Sequence, residues 1–467
     1  MKKKIIVVAA VLALVVICAT CLVACNPYKW SAIGGGDASA EVESNGGYVV
    51  KQGKYLYYIN GYEGADGDNT WGTPVKQSIV RSEIKEDGTV DNTTTKIVVP
   101  KIIYNSSAKG GFAIFGEWIY YATPNNDRDK NGNPSTTDTD FMRTKIDGSV
   151  TQRVGKINVR NAEYIFTPTR VVYYTSNTVR FIDFSGMKTD KNIDNAAGAY
   201  EGVLAENVSS VVWKYGCDTL FFTKTITGEN SYKNYNELCS IKFDGSAGRV
   251  IATENTFLAE GEDGVKNPQN VFKYTLRDMY VEKDGSVTIY YTKTYNLDQT
   301  DKNVGLFCAK AADLKTTEKK LNALNSTTLY PLGYTDGALA YNASNVYCWY
   351  NGENAEKPIQ STGTSQTIWY VDAEAGVAYF TASSSAKELL KISYKGNLDN
   401  ASVIMSEGIK VDWLRLDFIG DTLYFFATDD ENYMHCVNVK TFDKDVEDAE
   451  STYIGFEREE EEEEEEE

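Results

Sequence analysis

An aliphatic residue followed by two aromatics recurs along this chain, and this repeat limits the available folds more than any other feature. It appears as Leu56-Tyr57-Tyr58, Ile119-Tyr120-Tyr121, Val172-Tyr173-Tyr174, Leu220-Phe221-Phe222, Ile289-Tyr290-Tyr291, Ala378-Tyr379-Phe380 and Leu423-Tyr424-Phe425, with a weaker copy at Leu339-Ala340-Tyr341. A Gly-containing turn often precedes the pattern, and a further strand follows it, several times ending in Asp-Gly, as at Asp87-Gly88, Asp147-Gly148 and Asp244-Gly245. Short apolar pieces such as Val403-Ile404-Met405 lie between units. The copies are spaced about 40 to 70 residues apart; each unit supplies about four antiparallel strands, and four strands repeated at ~40–50 residues is the period of a propeller blade. The 32 Tyr and only 9 Pro fit a strand-rich chain. The expected fold class is all-β: a β-propeller of seven or eight four-stranded blades, eight if the Tyr341 unit stands alone and seven if it merges with a neighbour. The first unit reads as beginning at its second strand. The segment Ser451 to Phe456 has strand character and is expected to return to the first blade, closing the ring and removing an exposed edge.

The copies, typified by Val172-Tyr173-Tyr174-Thr175-Ser176, resemble propellers of the Tyr-Trp-Thr-Asp repeat type, with Tyr in place of Trp. They are more similar still to lipoprotein propellers of low-GC Gram-positive bacteria, which carry a Tyr-Tyr strand and an Asp-Gly-Ser turn. The resemblance spans roughly Tyr48 to Phe442, and the Asp expected after Tyr-Tyr-Thr is missing from most copies. It implies a propeller and brings no activity with it.

The chain begins with Lys2, Lys3 and Lys4, continues with an apolar run from Ile5 to Ala24, and reaches Leu22-Val23-Ala24-Cys25. A positive front, an apolar centre and a small residue at the cut define a signal sequence. Ala24 directly before Cys25 resembles a bacterial lipoprotein signal, which implies cleavage and lipidation at Cys25. An uncleaved anchor of ~20 apolar residues would export the body equally. The expected organisation is a signal peptide (1–24), a lipidated Cys and flexible tether containing Gly34-Gly35-Gly36 (25–47), the propeller (48–456) and a disordered poly-Glu tail (457–467). The expected location is the outer face of the bacterial cell membrane, reached through the lipid.

The net charge of −19 weighs against nucleic acid and anionic headgroups as partners. Cys239, Cys308, Cys348 and Cys436 each fall in what reads as the last strand of a unit. Equivalent positions on different blades lie too far apart for disulfides, so free thiols are expected. The single histidine, His435, leaves no His-based zinc site, and catalysis through it is not expected. No phosphate loop or nucleophile elbow is present. The strongest chemical motif is Asp127, Asp129, Asn131, Asn133 and Asp138. Its alternating oxygens around Gly132 make a candidate Ca²⁺ loop, with Asp138 in place of the usual twelfth-position Glu. No other cofactor is indicated. The functional expectation is a non-catalytic binding or scaffold module for a protein or glycan. The alternative is an extracellular carbohydrate-active hydrolase using paired carboxylates.

Overall fold

The chain is a β-propeller of eight blades in this computed structural model. The structure describes residues 32–458 except 62–76, 102–110, 126–137, 161, 228–234, 254–271, 283, 296–303, 321–328 and most segments joining strands between 336 and 450; from 329 to 416 the backbone alone is described. Blade 1 holds β1 (Val42–Glu43), β2 (Val49–Gln52), β3 (Tyr55–Ile59), β4 (Ile79–Ile84) and β5 (Val90–Val99). The other seven sheets have four strands each and span 113–157, 163–206, 208–253, 272–320, 329–358, 367–405 and 411–453. All are antiparallel meanders. The first strands of blades 4 to 8 approach one another in turn, that of blade 8 (Val411–Ile419) meets β2, and β2 meets the first strand of blade 2, so these strands line the axis.

Every aromatic repeat falls in the second strand of its blade's four-stranded meander (β3 in blade 1, where β1 is an added fifth strand), and the weak copy at Tyr341 owns a complete sheet, which fixes the count at eight. Both residues of the pair are buried in blades 1, 2, 4, 5 and 8, because each blade is covered on both faces by its neighbours. This removes the in–out alternation of a one-sided sheet. The second tyrosine also ties strands together. Tyr58 Oη lies 2.8 Å from Ser82 Oγ, which lies 2.8 Å from Thr95 Oγ1; Tyr121, Thr144 and Thr151 repeat the relay in blade 2. The Asp-Gly turns close the third-to-outer hairpins. Asp87, Asp147 and Asp244 accept from the backbone N–H two residues on, and each following glycine has positive φ.

Three expectations need correction. Blade 1 does not begin at its second strand, since β2 supplies its own inner strand. Residues 451–456 do not add a strand to blade 1: Thr452–Tyr453 pairs with His435 and Cys436 as the outer strand of blade 8. Closure instead comes from packing of blade 8 against blade 1 and from side-chain bonds between Asn92 or Thr95 on β5 and the backbone of Tyr453 and Gly455. The four cysteines stand in third strands, each with an outer strand beyond it. A short meander continues outward without reversing its route, so the last strand stays with the blade that precedes it.

Arginines staple consecutive blades. Arg81 donates to the carbonyl of Ile146 on blade 2, Arg170 of blade 3 to Phe243 of blade 4, and Arg249 of blade 4 to Ala311 of blade 5. Arg143 of blade 2 stands 5.4 Å from the ring of Phe184 on blade 3. Each acceptor or ring sits just after a third strand, and all four residues are buried between blades. The staples gather the inner-to-second and third-to-outer hairpins on one face, called the hairpin face below.

Candidate functional site

Two places on the hairpin face could engage chemistry: the axial channel and a cavity beneath blades 2 to 4. The channel is entered by the chain itself. Residues 33–41 cross the hairpin face, where Ile33 N–H donates to Asp147 O, Arg81 Nη2 donates to Gly34 O, and Asp37 caps a turn through Ser39. β1 then pairs with the axial side of β2, placing it inside the ring. The turn between them reaches three blades. Asn45 exchanges two hydrogen bonds with the backbone of Ile114, at 2.8 and 3.0 Å, imitating a strand neighbour. Gly46 N–H donates to Phe112 O, and Ser44 Oγ donates to Phe418 O of blade 8. Gly46 has φ +91 and lies against the Tyr215 ring, and a Cβ at Gly111 would stand 2.2 Å from Gly46 O, so both sites require glycine. The segment read from sequence as part of a tether is thus docked from residue 33 onward. Ordinary turn residues hold it, through partners far away in sequence.

Asp417 anchors the hairpin. On the inner strand of blade 8, it accepts from the backbone N–H groups of Tyr48 and Val49, the latter at 3.0 Å. Dense surroundings desolvate the carboxyl and raise its pKa to about 7, against the pull of those two donors. Another inner-strand carboxylate, Asp278 of blade 5, is paired with Lys214 of blade 4 at 3.0 Å.

The cavity has a volume of about 560 Å³. Phe115, Ile165, Phe166, Tyr215 and Phe243 supply its apolar lining. The hairpin of blade 3 positions Arg170: Thr167 Oγ1 accepts from Arg170 N–H at 2.9 Å, and the guanidinium donates through Nε to Asp183 (2.8 Å) and through Nη1 to Phe243 O (3.1 Å). Burial opposes the charge of Asp183, but bonds from Ser185 and Arg170 prevail and hold its pKa low. At the rim Lys242 pairs with Asp218 at 2.7 Å, which lowers the Asp218 pKa and raises that of Lys242. Cys217 donates its thiol to Thr219 O, and burial pushes its pKa up, so it is a poor nucleophile.

Of the sequence-derived sites, Cys25 and four of the five Ca²⁺-loop residues, Asp127, Asp129, Asn131 and Asn133, lie outside the described residues. Asp138 is described, 3.0 Å from Lys156 Nζ. Among the described residues no group of three or more His, Cys, Asp or Glu side chains could hold a metal, and no helix is long and apolar enough to cross a membrane. Cys217, Cys239, Cys308 and Cys436 are free thiols. His435 is not isolated: Nε2 lies 2.7 Å from Asp430 Oδ2 and Nδ1 lies 3.0 Å from Ser451 Oγ. Arg458 forks onto both oxygens of Asp430 at 2.9 Å and stacks 3.7 Å from the Tyr453 ring centre. Burial opposes the Asp430 charge, but bonds from Arg458 and His435 lower its pKa overall. The group fastens the C-terminal strand to blade 8. Hairpin spacing, five residues from Asp430 to His435 and sixteen from His435 to Ser451, was the signal available in sequence.

No family model matches the sequence. No curated protein matches it either. Similar solved structures include Porphyromonas gingivalis dipeptidyl peptidase 4, at 10% identity and TM-score 0.44, covering 85% of this chain and 59% of that one. The β-propeller domain of the Trilobed protease from Pyrococcus furiosus is similar at 9% identity and TM-score 0.36, covering 69% and 89%. Oligogalacturonate lyase from Vibrio parahaemolyticus has 9% identity and TM-score 0.36, covering 69% and 85%.

Proposed function

We propose that this protein is a non-catalytic binding or scaffold propeller, lipid-anchored through Cys25 on the outer face of a bacterial membrane, that engages a protein or glycan. The observation that carries this reading is the hairpin in the axial channel. A propeller hydrolase working through paired carboxylates needs an open channel mouth with two free acids. Here the chain's own turn occupies part of that space, and Asp417 and Asp278 are committed to internal partners. The chain is held on the hairpin face at Ile33, eight residues after Cys25, so a lipid there would hold this face within about 30 Å of the membrane. The opposite face, which carries the second-to-third hairpins such as the Ser176-Asn177 turn, then points outward, where loops on a rigid scaffold meet partners.

Metabolic labelling with an alkyne fatty acid, comparing wild type with Cys25→Ala, tests the anchor; equal labelling would refute it. For the body, the full-length protein in detergent is applied to a glycan array and to envelope polysaccharides, with product analysis. The expected result is retention of one glycan class without chain cleavage, or retention of none and capture of one envelope protein. Release of reducing ends would establish the hydrolase instead.

A further inference from the structure

The cavity on the hairpin face is built for a guest, and its polar groups say which kind. We propose that it binds a small organic monoanion, an aromatic or branched apolar body bearing one carboxylate or sulfonate, with the acid group on Arg170. Its volume of about 560 Å³ falls within the ~300–1,000 Å³ of small-molecule sites, and its lining is the mixture such sites use, aromatic walls with few polar groups. Phe115 and Tyr215 face each other with centroids 6.3 Å apart, and Phe243 and Phe166 complete the walls.

Most polar groups of the lining are already committed. Lys242 and Asp218 neutralise each other, Asp244 accepts from Ser246 N–H, Cys217 donates to Thr219 O, and Tyr215 Oη accepts from Phe166 N–H. Arg170 is different. Its side chain is only 15% exposed, and Asp183, the Phe243 carbonyl and the Phe181 ring (4.5 Å) fix the guanidinium in place. Those contacts use Nε and Nη1, and Nη2 donates to no described residue. A rigid guanidinium edge with unspent donors, beside aromatic walls, is complementary to an oxyanion on an apolar body. The exposed rim carboxylate Asp244 weighs against a second negative charge on the guest. The proposal concerns the cavity alone and stands whether or not Cys25 carries lipid.

The test titrates the full-length protein in detergent below its micelle concentration with two fluorescent probes of similar body: anionic 8-anilinonaphthalene-1-sulfonate and neutral N-phenyl-1-naphthylamine. One saturable micromolar site per chain is expected for the sulfonate, with at least tenfold weaker binding of the neutral probe. Arg170→Gln should weaken the sulfonate at least tenfold and leave the neutral probe within twofold. Arg170 also staples two blades, so a second variant, Thr169→Trp at the exposed mouth, leaves the staple intact and should abolish saturable binding of the sulfonate. Unaltered sulfonate affinity in Thr169→Trp, or no saturable site in the wild type, overturns the proposal.

Discussion

Asp417 makes the stability of this protein fall as pH rises through the slightly acid range, opposite to the usual behaviour of a paired carboxylate. Its folded pKa of about 7 stands above an unfolded value of ~3.9, so between those limits the native chain binds a proton that the unfolded chain has lost. Stability is therefore fully supported below pH ~4 and declines until the pH passes 7. Three units at ~1.36 kcal/mol each set a ceiling of about 4 kcal/mol. Asp417 keeps some contact with solvent, which brings the expected size to about 2 kcal/mol. With an unfolding entropy of ~2.1 cal/mol/K per residue over roughly 300 described residues, that is a Tm change of about 3 °C. The measurement is a pair of thermal melts, at pH 5 and pH 7.5, on wild type and Asp417→Asn. Asparagine keeps an acceptor for Tyr48 and Val49 N–H but cannot ionise. Other acids, such as Asp183 and Asp430, have lowered pKa values and act mostly below pH 5 with the opposite sign, and they cancel in the comparison. The wild type should lose about 3 °C more than the variant on going to pH 7.5. Identical pH dependence in the two proteins would refute the assignment.

Arg81→Ala removes two carbonyl partners and the stack on Tyr55 at 4.3 Å; it should cost about 2–4 kcal/mol in urea melts and expose the 33–41 segment to protease. Tyr58→Phe should cost about 1 kcal/mol, because Ser82 keeps Thr95 as a partner and only one link of the relay is lost. Burial raises the thiols of Cys239 and Cys308 to about 11 and that of Cys436 to about 12. In native protein at pH 8 a thiol reagent should leave all three unmodified and react only on unfolding; rapid native labelling of any of them would contradict their placement. Arg458→Ala should leave the Asp430 side chain held by His435 alone and speed hydrogen exchange at Ile454, whose N–H donates to Met434 O.

The ring was legible in the sequence because its determinants are local. A second strand buried on both faces must be apolar throughout, and Leu56-Tyr57-Tyr58 and its copies show that without any alternation. The Asp-Gly hairpins are equally local, each needing only one short side chain and one positive φ. What escaped depends on encounters between distant segments. Nothing in Ser44-Asn45-Gly46-Gly47 announces that it will meet Ile114 and Asp417, the latter almost 370 residues away. Gly-rich composition suggests freedom, yet here glycine is demanded by the close approach of two backbones. The cavity is assembled from strand ends and turns of three blades, none of whose residues stands out alone. The Asp430–His435–Ser451 group was within reach of sequence reasoning, because a tight hairpin returns Asp430 beside the strand that holds His435.

The axial hairpin also decides where mechanical load would enter. A pull on the chain upstream of residue 32 meets first the clamp formed by Arg81 on Gly34 and by Ile33 on Asp147, shared between the rims of two blades. Only when that yields does tension reach β1, and it then acts along the strand, loading the bonds to β2 together and not one after another. Beyond β1 the turn is held by blades 1, 2 and 8, so the last resistance lies at the axle of the wheel. A ring tugged from its axle distributes the force around its circumference, and no single blade has to peel before the others share the strain.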